Sequence, residues 1–521
     1  MGIELKKIKV ILEKKLHQPV TLDGSSLTIE EVAAIARDKV RVEISDSAVE
    51  KVEEGRRAIA RLLASGKSVY GVNTGFGRLA DKKIGSKDLG SLQVNLIRSH
   101  ALGTGKSLSE DEARAIMAVR LNTLLRGYSG IRTEVANQIA TYLNEDLPPE
   151  IPCHGSLGAS GDLAPSAHIA LTLIGEGYFI LKGERVPAKT ELRKRRIRPI
   201  KLKEKEGLAI INGTQVMTGL GSLLVEDAIN LLSLLDLAAA LSLEALGGNI
   251  SEFDARVHAL RPFRGQESVA ERIREAVKGS GLIGSAHRVQ DPYSLRCVPQ
   301  VHGAFWDTLD HARLVVQTEI NSVTDNPLVF PDDDSLISAG NFHGQPVAIV
   351  LDFLCIALAE ASTISERRID KLLSGANPKL PLFLTRESGL NSGLMVTQYT
   401  AAALVAQNKV LASPASIDSA TVSAGQEDHS SMGVTAALKC REVLENALKV
   451  VALEMMCASQ AIDLLGDARL GRGTKLAFEL IRKQTEKVDK DRVLAGDLEK
   501  LYKFLGTGAL IDKVLRAVDS D

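Results

Sequence analysis

The sequence predicts an all-α protein: an elongated antiparallel bundle of long helices with a smaller helical and loop-rich N-terminal domain. Three observations predict it. The C-terminal part carries five long stretches without helix breakers, most of them end at Gly, Pro or another polar stop signal, and the first 130 residues alternate short helical patterns with Gly-rich loops. In chain order, the short patterns are Ile29–Arg37, Ser47–Ser65 and Ser109–Leu125. A stretch from Lys182 to Glu206 follows, holding Arg193-Lys194-Arg195-Arg196 and one or two short β segments. The composition shift there sets a domain boundary near residue 205, giving 1–205 and 206–521. Glu204 and Glu206 follow the basic run, and no aromatics interleave it, so it reads as a solvated loop and not a nucleic-acid patch.

Ser222–Leu246 is rich in Leu and Ala and stops at Gly247-Gly248. Phe305–Thr324 runs to Asp325-Asn326-Pro327, and Val347–Ser374 and Val396–Ser413 read the same way. Val434–Leu465 is the longest at 32 residues, which spans about 48 Å as a helix. Helices this apolar around their circumference bury one another as a bundle.

The 521 residues carry 64 Lys+Arg against 65 Asp+Glu, a balance that disfavours a dedicated nucleic-acid or acidic-membrane binder. Embedded acids such as Asp227, Asp236 and Glu244 argue against membrane spans. Met1–Lys7 has no apolar signal region. The five cysteines are scattered and form no CxxC pair, so a reduced, cytoplasmic protein is expected. Gly103-Thr104-Gly105-Lys106-Ser107 imitates the end of a phosphate-binding loop, but His100 stands where the pattern needs glycine. No histidine and carboxylate spacing supports a metal site, and no external cofactor is expected.

The chemistry is carried by Gly155-Ser156-Leu157-Gly158-Ala159-Ser160-Gly161-Asp162-Leu163-Ala164-Pro165, a run of small residues opening a helix. It resembles the active-site signature of the aromatic amino-acid ammonia-lyases, most closely the histidine-directed members. The resemblance covers nearly the whole chain. Tyr70-Gly71-Val72-Asn73-Thr74-Gly75-Phe76-Gly77 is similar to the family's mobile tyrosine loop, and Asn212-Gly213-Thr214-Gln215 to its turn at the bundle entry. Gln290-Asp291-Pro292-Tyr293-Ser294-Leu295-Arg296, Gly340-Asn341-Phe342-His343-Gly344 and Gln426-Glu427-Asp428-His429 resemble further site loops.

The resemblance implies an electrophile, methylidene-imidazolone (MIO), formed autocatalytically from Ala159, Ser160 and Gly161. The residue types suit that step. Glycine's nitrogen approaches a carbonyl two residues back most easily, and serine has a hydroxyl to lose. Eliminating ammonia from an α-amino acid then needs capture of the amine and a base for the weakly acidic β-proton. The family implies Tyr70 as that base, Arg296 on the substrate carboxylate, Asn212 at the electrophile's carbonyl, and Gln290 and Tyr293 in the same pocket, with Phe342 in its loop.

Ser99-His100 and Glu427 match the histidine-directed branch. An imidazole wants polar partners on both nitrogens, which a carboxylate and a histidine supply. Met395 resembles a pocket methionine. The implied reaction is L-histidine to trans-urocanate and ammonia; the alternative is a tyrosine or phenylalanine ammonia-lyase or aminomutase with the same electrophile. The resemblance also implies a homotetramer with sites shared between subunits and no nucleic-acid or membrane partner. The architecture is shared with the fumarase/aspartase superfamily, but the Gly-Ser-Ser-x-Met-Pro-x-Lys stretch of that group is missing from the sequence. Val298, His302 and Gly425 depart from the residues common in the histidine branch.

Overall fold

The computed structural model describes residues 18–65, 68–466 and 469–519; Met1–Lys7 lies outside them. Within the N-terminal part, α1 (Glu110–Leu124) opens on a capping box, in which Ser109 and Glu112 each accept the other's backbone N–H. Helix α2 (Leu163–Leu173) follows the Ala-Ser-Gly segment. The bundle consists of α3 (Gln215–Ala245), α4 (Val298–Glu319), α5 (Gln345–Leu373), α6 (Met395–Leu411) and α7 (Gly433–Leu465).

The five expected helices are all present, but α3 and α4 begin seven residues before the expected starts at Ser222 and Phe305. Sequence alone treats glycine as a helix breaker, whereas Gly219 and Gly303 are sites of helix contact. A Cβ on Gly219 would stand 2.8 Å from the backbone nitrogen of Ile116 in α1, and one on Gly303 would collide with the backbone of Gly265 and Gln266. The cost of glycine inside a helix is offset by this close packing.

Successive bundle helices run antiparallel. Gly344 and Gly433 both abut Met217, so α3, α5 and α7 start at one end. Thr214 bonds Glu319 at 2.6 Å and Ser416 bonds Asp352 at 2.7 Å, so α4 and α6 finish there. At the opposite end, Glu454 of α7 is held by Ser242 of α3 and by Ser365 and Arg368 of α5 at 2.6–2.9 Å. One contiguous apolar core joins Leu121 and Leu124 of α1 to Leu234 and Leu241 of α3 and Val450 and Leu453 of α7. Each such leucine contributes about 1.5–3 kcal/mol by its burial. Two helices, α3 and α5, hold apolar windows long enough to cross a membrane, but 89% and 72% of those windows are buried inside the fold, the position of core helices.

The strands form four two-stranded sheets among the described residues. Thr104–Ser107, the phosphate-loop look-alike, is a strand paired with Pro152–His154. Tyr178–Leu181 and Glu184–Pro187 make a hairpin, so a single strand of the Lys182–Glu206 stretch remains. The basic run is not the loop expected. Arg193 and Lys194 form the last turn of helix Ala188–Lys194, where cations complement the helix dipole, and Arg195 bonds Glu191 at 2.8 Å. All five cysteines are free.

Candidate active site

The Ala159-Ser160-Gly161 turn lies at the end of the bundle where α3, α5 and α7 begin. Its anchor is Asp162. One carboxylate oxygen accepts the N–H groups of Val216 and Met217 at 2.9 Å each, which are orphan donors of the first turn of α3. The other accepts the Ser156 hydroxyl at 2.9 Å. Complete burial pushes the Asp162 carboxyl up to about 6, against these hydrogen bonds. The backbone then pairs Gly161 with Gly213, and the Asp162 N–H donates to Gly213 O at 2.7 Å. Gly161 has φ +76°, and a Cβ there would collide with the Gly213 backbone. Only glycine fits.

Asn212 completes the cradle. Its Nδ2 donates to Ser160 O at 2.9 Å, while its buried Oδ1 has no hydrogen-bond partner among the described residues. A compressed turn of three small residues, a side-chain amide on the central carbonyl and an unfilled acceptor fit a group built from the turn's own backbone.

Above the turn opens a cavity of about 550 Å³. Tyr70, Ser160, Asn212, Phe342 and Glu427 line it, so five of the sequence-derived candidates meet in one place, with Ala159 and Gly161 buried beside Ser160. The Tyr70 hydroxyl accepts the Gly77 N–H at 3.2 Å, folding the tyrosine loop back on itself. Gly77 abuts Ser423, which docks the tyrosine loop on the turn carrying Glu427. That turn is closed by the Val422 N–H donating to Glu427 O at 2.8 Å and holds Ser423, Ala424 and Gly425 at positive φ, a strained backbone for the first two. The positive φ at residue 425 accounts for glycine there. Beside it, His343 and His429 stack at 5.5 Å. Burial, together with His429, lowers the pKa of His343.

The cavity wall also includes Gln426, of the Gln426–His429 loop singled out in the sequence, together with Arg78, Asp81, Leu208, Asn326 and Ser338, which sequence reasoning does not select. Arg78 and Asp81 follow the tyrosine loop directly, a proximity signal. Asn326 and Ser338 carry no local signal and arrive through tertiary packing. The anchoring role of Asp162 was missed as well, although it adjoins Gly161.

Gln290, Tyr293, Arg296 and Met395 do not line this cavity. Arg368 of α5 donates to Ser294 O at 3.4 Å, and Gln398 of α6 donates to Asp370 at 3.0 Å. These contacts put Tyr293–Arg296 and the start of α6 at the far end of the bundle. Arg368 lies about 36 Å along α5 from Gly344. Tyr293 is 71% exposed, with the Arg296 guanidinium 4.8 Å from its ring centroid. His100 ends helix Leu89–His100, its Nδ1 lying 2.8 Å from Leu96 O, and is also outside the cavity wall.

His302, one of the departures, sits beneath Ser294 in a buried network. Its Nδ1 lies 2.7 Å from Asp236, and its Nε2 lies 3.2 Å from Arg368. A carboxylate on one side and a guanidinium on the other set a neutral ring protonated at Nδ1, and burial lowers its pKa.

Comparison with known proteins places the chain in a family. The family model for aromatic amino acid lyases matches residues 27–483. A histidine ammonia-lyase from Alkaliphilus oremlandii is 48% identical over 502 residues, covering 96% of this chain and 99% of the relative. Among solved structures, a histidine ammonia-lyase from Trypanosoma cruzi superposes with TM-score 0.90 at 40% identity, covering 96% of each chain. A tyrosine aminomutase from Streptomyces globisporus superposes with TM-score 0.93 at 38% identity, covering 97% of this chain and 100% of the other. With the family model spanning most of the chain and relatives this similar along nearly their full length, the chain belongs to the aromatic amino acid lyase family.

Proposed function

We propose that the protein is a histidine ammonia-lyase, converting L-histidine to trans-urocanate and ammonia. The observation that carries this reading is the Glu427 carboxylate in the wall of the cavity that also holds Ser160 and Tyr70. A carboxylate facing a substrate side chain suits an imidazole N–H and is left unpaired by a benzyl group, at a cost of about 1–3 kcal/mol. The 48% identity to histidine ammonia-lyases supports the same choice.

The group supplied by Ala159, Ser160 and Gly161, a methylidene-imidazolone, provides the electrophile that activates the amine for departure. Asn212 holds Ser160 O. Tyr70 takes the β-proton at its phenolate oxygen, and closing of its loop excludes water. Phe342 and Glu427 hold the side chain of the substrate.

Arg296, Tyr293, Gln290 and Met395 act in the same site by coming from a second copy of the chain. The roughly 36 Å between the two ends of α5 supports sites shared between copies, as in the homotetramer that the resemblance implies. His100 enters the pocket by the same assembly or by loop closure. The division into 1–205, bearing Tyr70 and the turn, and 206–521, bearing the bundle, and a cytoplasmic location complete the reading.

The test is incubation with L-histidine, L-tyrosine and L-phenylalanine separately, following the ultraviolet absorbance of the products. Urocanate from histidine is expected. Turnover of tyrosine or phenylalanine alone overturns the choice in favour of a tyrosine or phenylalanine ammonia-lyase, or of an aminomutase where the product is the β-amino acid.

A further inference from the structure

We infer that Arg120 is a positioning residue for conversion of the Ala159-Ser160-Gly161 turn: buried behind Gly213 without a hydrogen-bond partner among the described residues, its guanidinium supplies a positive charge that favours loss of the Gly161 amide proton. The inference rests on the reading above that this turn cyclises.

Arg120, in α1, is 2% exposed, and none of its three guanidinium nitrogens has a hydrogen-bond partner among the described residues. A buried guanidinium normally forks onto a carboxylate or carbonyls, because leaving its charge unpaired is costly. The contrast with Arg114, six residues earlier on the same helix, is direct. Arg114 is also buried, and it bonds the carbonyls of Ile35, Ala36 and Leu143 and the Asp146 carboxylate.

The carboxylate that acts on Arg120 is Asp325, and its oxygens are already committed. One takes the buried Lys205 ammonium at 2.9 Å, the other the Asn326 N–H at 2.7 Å. Two cations therefore share one anion in this interior. Burial lowers the Arg120 pKa only to about 10, so it stays charged at neutral pH.

Its place in the fold gives that charge a target. A Cβ on Gly213 would stand 2.8 Å from Arg120 Nη1, 2.7 Å from Thr324 Oγ1 and 2.8 Å from Gln215 Oε1. The same glycine is pressed against Gly161 and takes the Asp162 N–H. A single backbone residue thus separates the buried guanidinium from the nitrogen that must react, and a buried charge acts more strongly over a short distance than one in water.

The balance of the step shows where a cation helps. The Gly161 nitrogen, giving up its proton, bonds the Ala159 carbonyl carbon. That oxygen leaves as water with the amide hydrogens of Ser160 and Gly161, and a C=N bond remains. Ser160 then loses its α-hydrogen and hydroxyl as a second water, and no oxidant or reductant is consumed. Negative charge builds up on the amide as its proton leaves, and a nearby guanidinium that shares its one anion with Lys205 stabilises it.

Freshly synthesised full-length chain is followed by intact-protein mass, with the apparent Tm measured alongside, for wild type, Arg120→Met, Arg120→Lys and Asp325→Asn. Wild type is expected to lose two waters. Arg120→Met should convert at least about tenfold more slowly, yet its Tm should not fall, because an unpaired buried charge has been removed. Arg120→Lys keeps the charge and should stay within about threefold of wild type. Asp325→Asn removes the neutralising anion and should be no slower. If Arg120→Met fails to fold, Arg120→Gln, polar but uncharged, serves the same comparison. Wild-type conversion in the uncharged variant overturns the inference. So does equal slowing of the Met and Lys variants with a lower Tm in both, the mark of a packing residue. An unshifted wild-type mass brings down the proposed function itself, whereas failure of the inference alone leaves that mass shifted.

Discussion

Asn212 and Ser160 meet at the centre of the site, the Asn212 amide donating to the Ser160 carbonyl at 2.9 Å. The donor is rigid, because the next residue, Gly213, is paired with Gly161 and Thr214 precedes the first turn of α3. A preset donor on a carbonyl that gains negative charge during reaction works as an oxyanion hole does. Asn212→Ala should therefore lower kcat by about 10²–10³-fold while leaving the helical circular dichroism unchanged. Ser160→Ala, which lacks a hydroxyl to lose, should show no turnover and an unshifted mass. Normal activity in Ser160→Ala would exclude the electrophile.

Tyr70 presents its hydroxyl to the cavity and to the Gly77 N–H, 3.2 Å away. Tyr70→Phe keeps the ring and removes the group that takes the proton. A loss of about 10²–10⁴-fold in kcat with little change in the mass signature is expected. A rise in KM alone would make Tyr70 a loop anchor instead of a base.

Asp162 gives a pH dependence with a definite sign. Its carboxyl is pushed up from 3.8 to about 6, so between those values the folded chain holds a proton that the unfolded chain has released. Stability from this group is therefore fully present below about pH 4, falls as pH rises to about 6 and is constant above, a change of about 3 kcal/mol. Asp162→Asn lacks the transition. In a Ser160→Ala background, which keeps both chains unconverted, the Tm of the Asn variant relative to its parent should climb between pH 4 and 6 and then level. A constant difference would contradict the assignment.

Glu427 separates substrates. Glu427→Gln should weaken histidine turnover by about 1–3 kcal/mol in kcat/KM, because an imidazole N–H loses a charged acceptor. Turnover of L-phenylalanine should fall less or rise. Equal losses on both substrates would show that the carboxylate acts on the common part of the amino acid.

Which parts of this molecule were legible in the sequence follows from the range of the forces involved. The long helices and the Ala159-Ser160-Gly161 turn are written locally, in breaker-free apolar runs and a small-residue signature. The starts of α3 and α4 were misread because Gly219 and Gly303 serve partners more than 30 residues away in sequence, Ile116 and Gln266. The same holds for Asn326 and Ser338 in the cavity wall, and for Arg120, whose isolation exists only once Lys205 has taken Asp325.

The separation of Arg296 from Ser160 yields the sharpest test of shared sites. Both are candidates for one pocket, yet the turn carrying Arg296 is tied to Arg368 and the turn carrying Ser160 lies near Gly344, roughly 36 Å apart along α5. No rotamer of an arginine spans that distance, so a pocket containing both must draw them from different copies. Arg296→Met should cost about 2–5 kcal/mol in kcat/KM, as expected for a charge partner of the substrate carboxylate. Ser160→Ala should be inactive. Co-expressing the two variants then forms mixed oligomers in which some pockets combine an intact turn from one copy with an intact arginine from the other. Activity should reappear in the co-expressed sample, and should stay low when the separately purified variants are mixed without subunit exchange. If co-expression restores nothing although mixed oligomers are present, Arg296 does not serve a site built on another copy's Ser160.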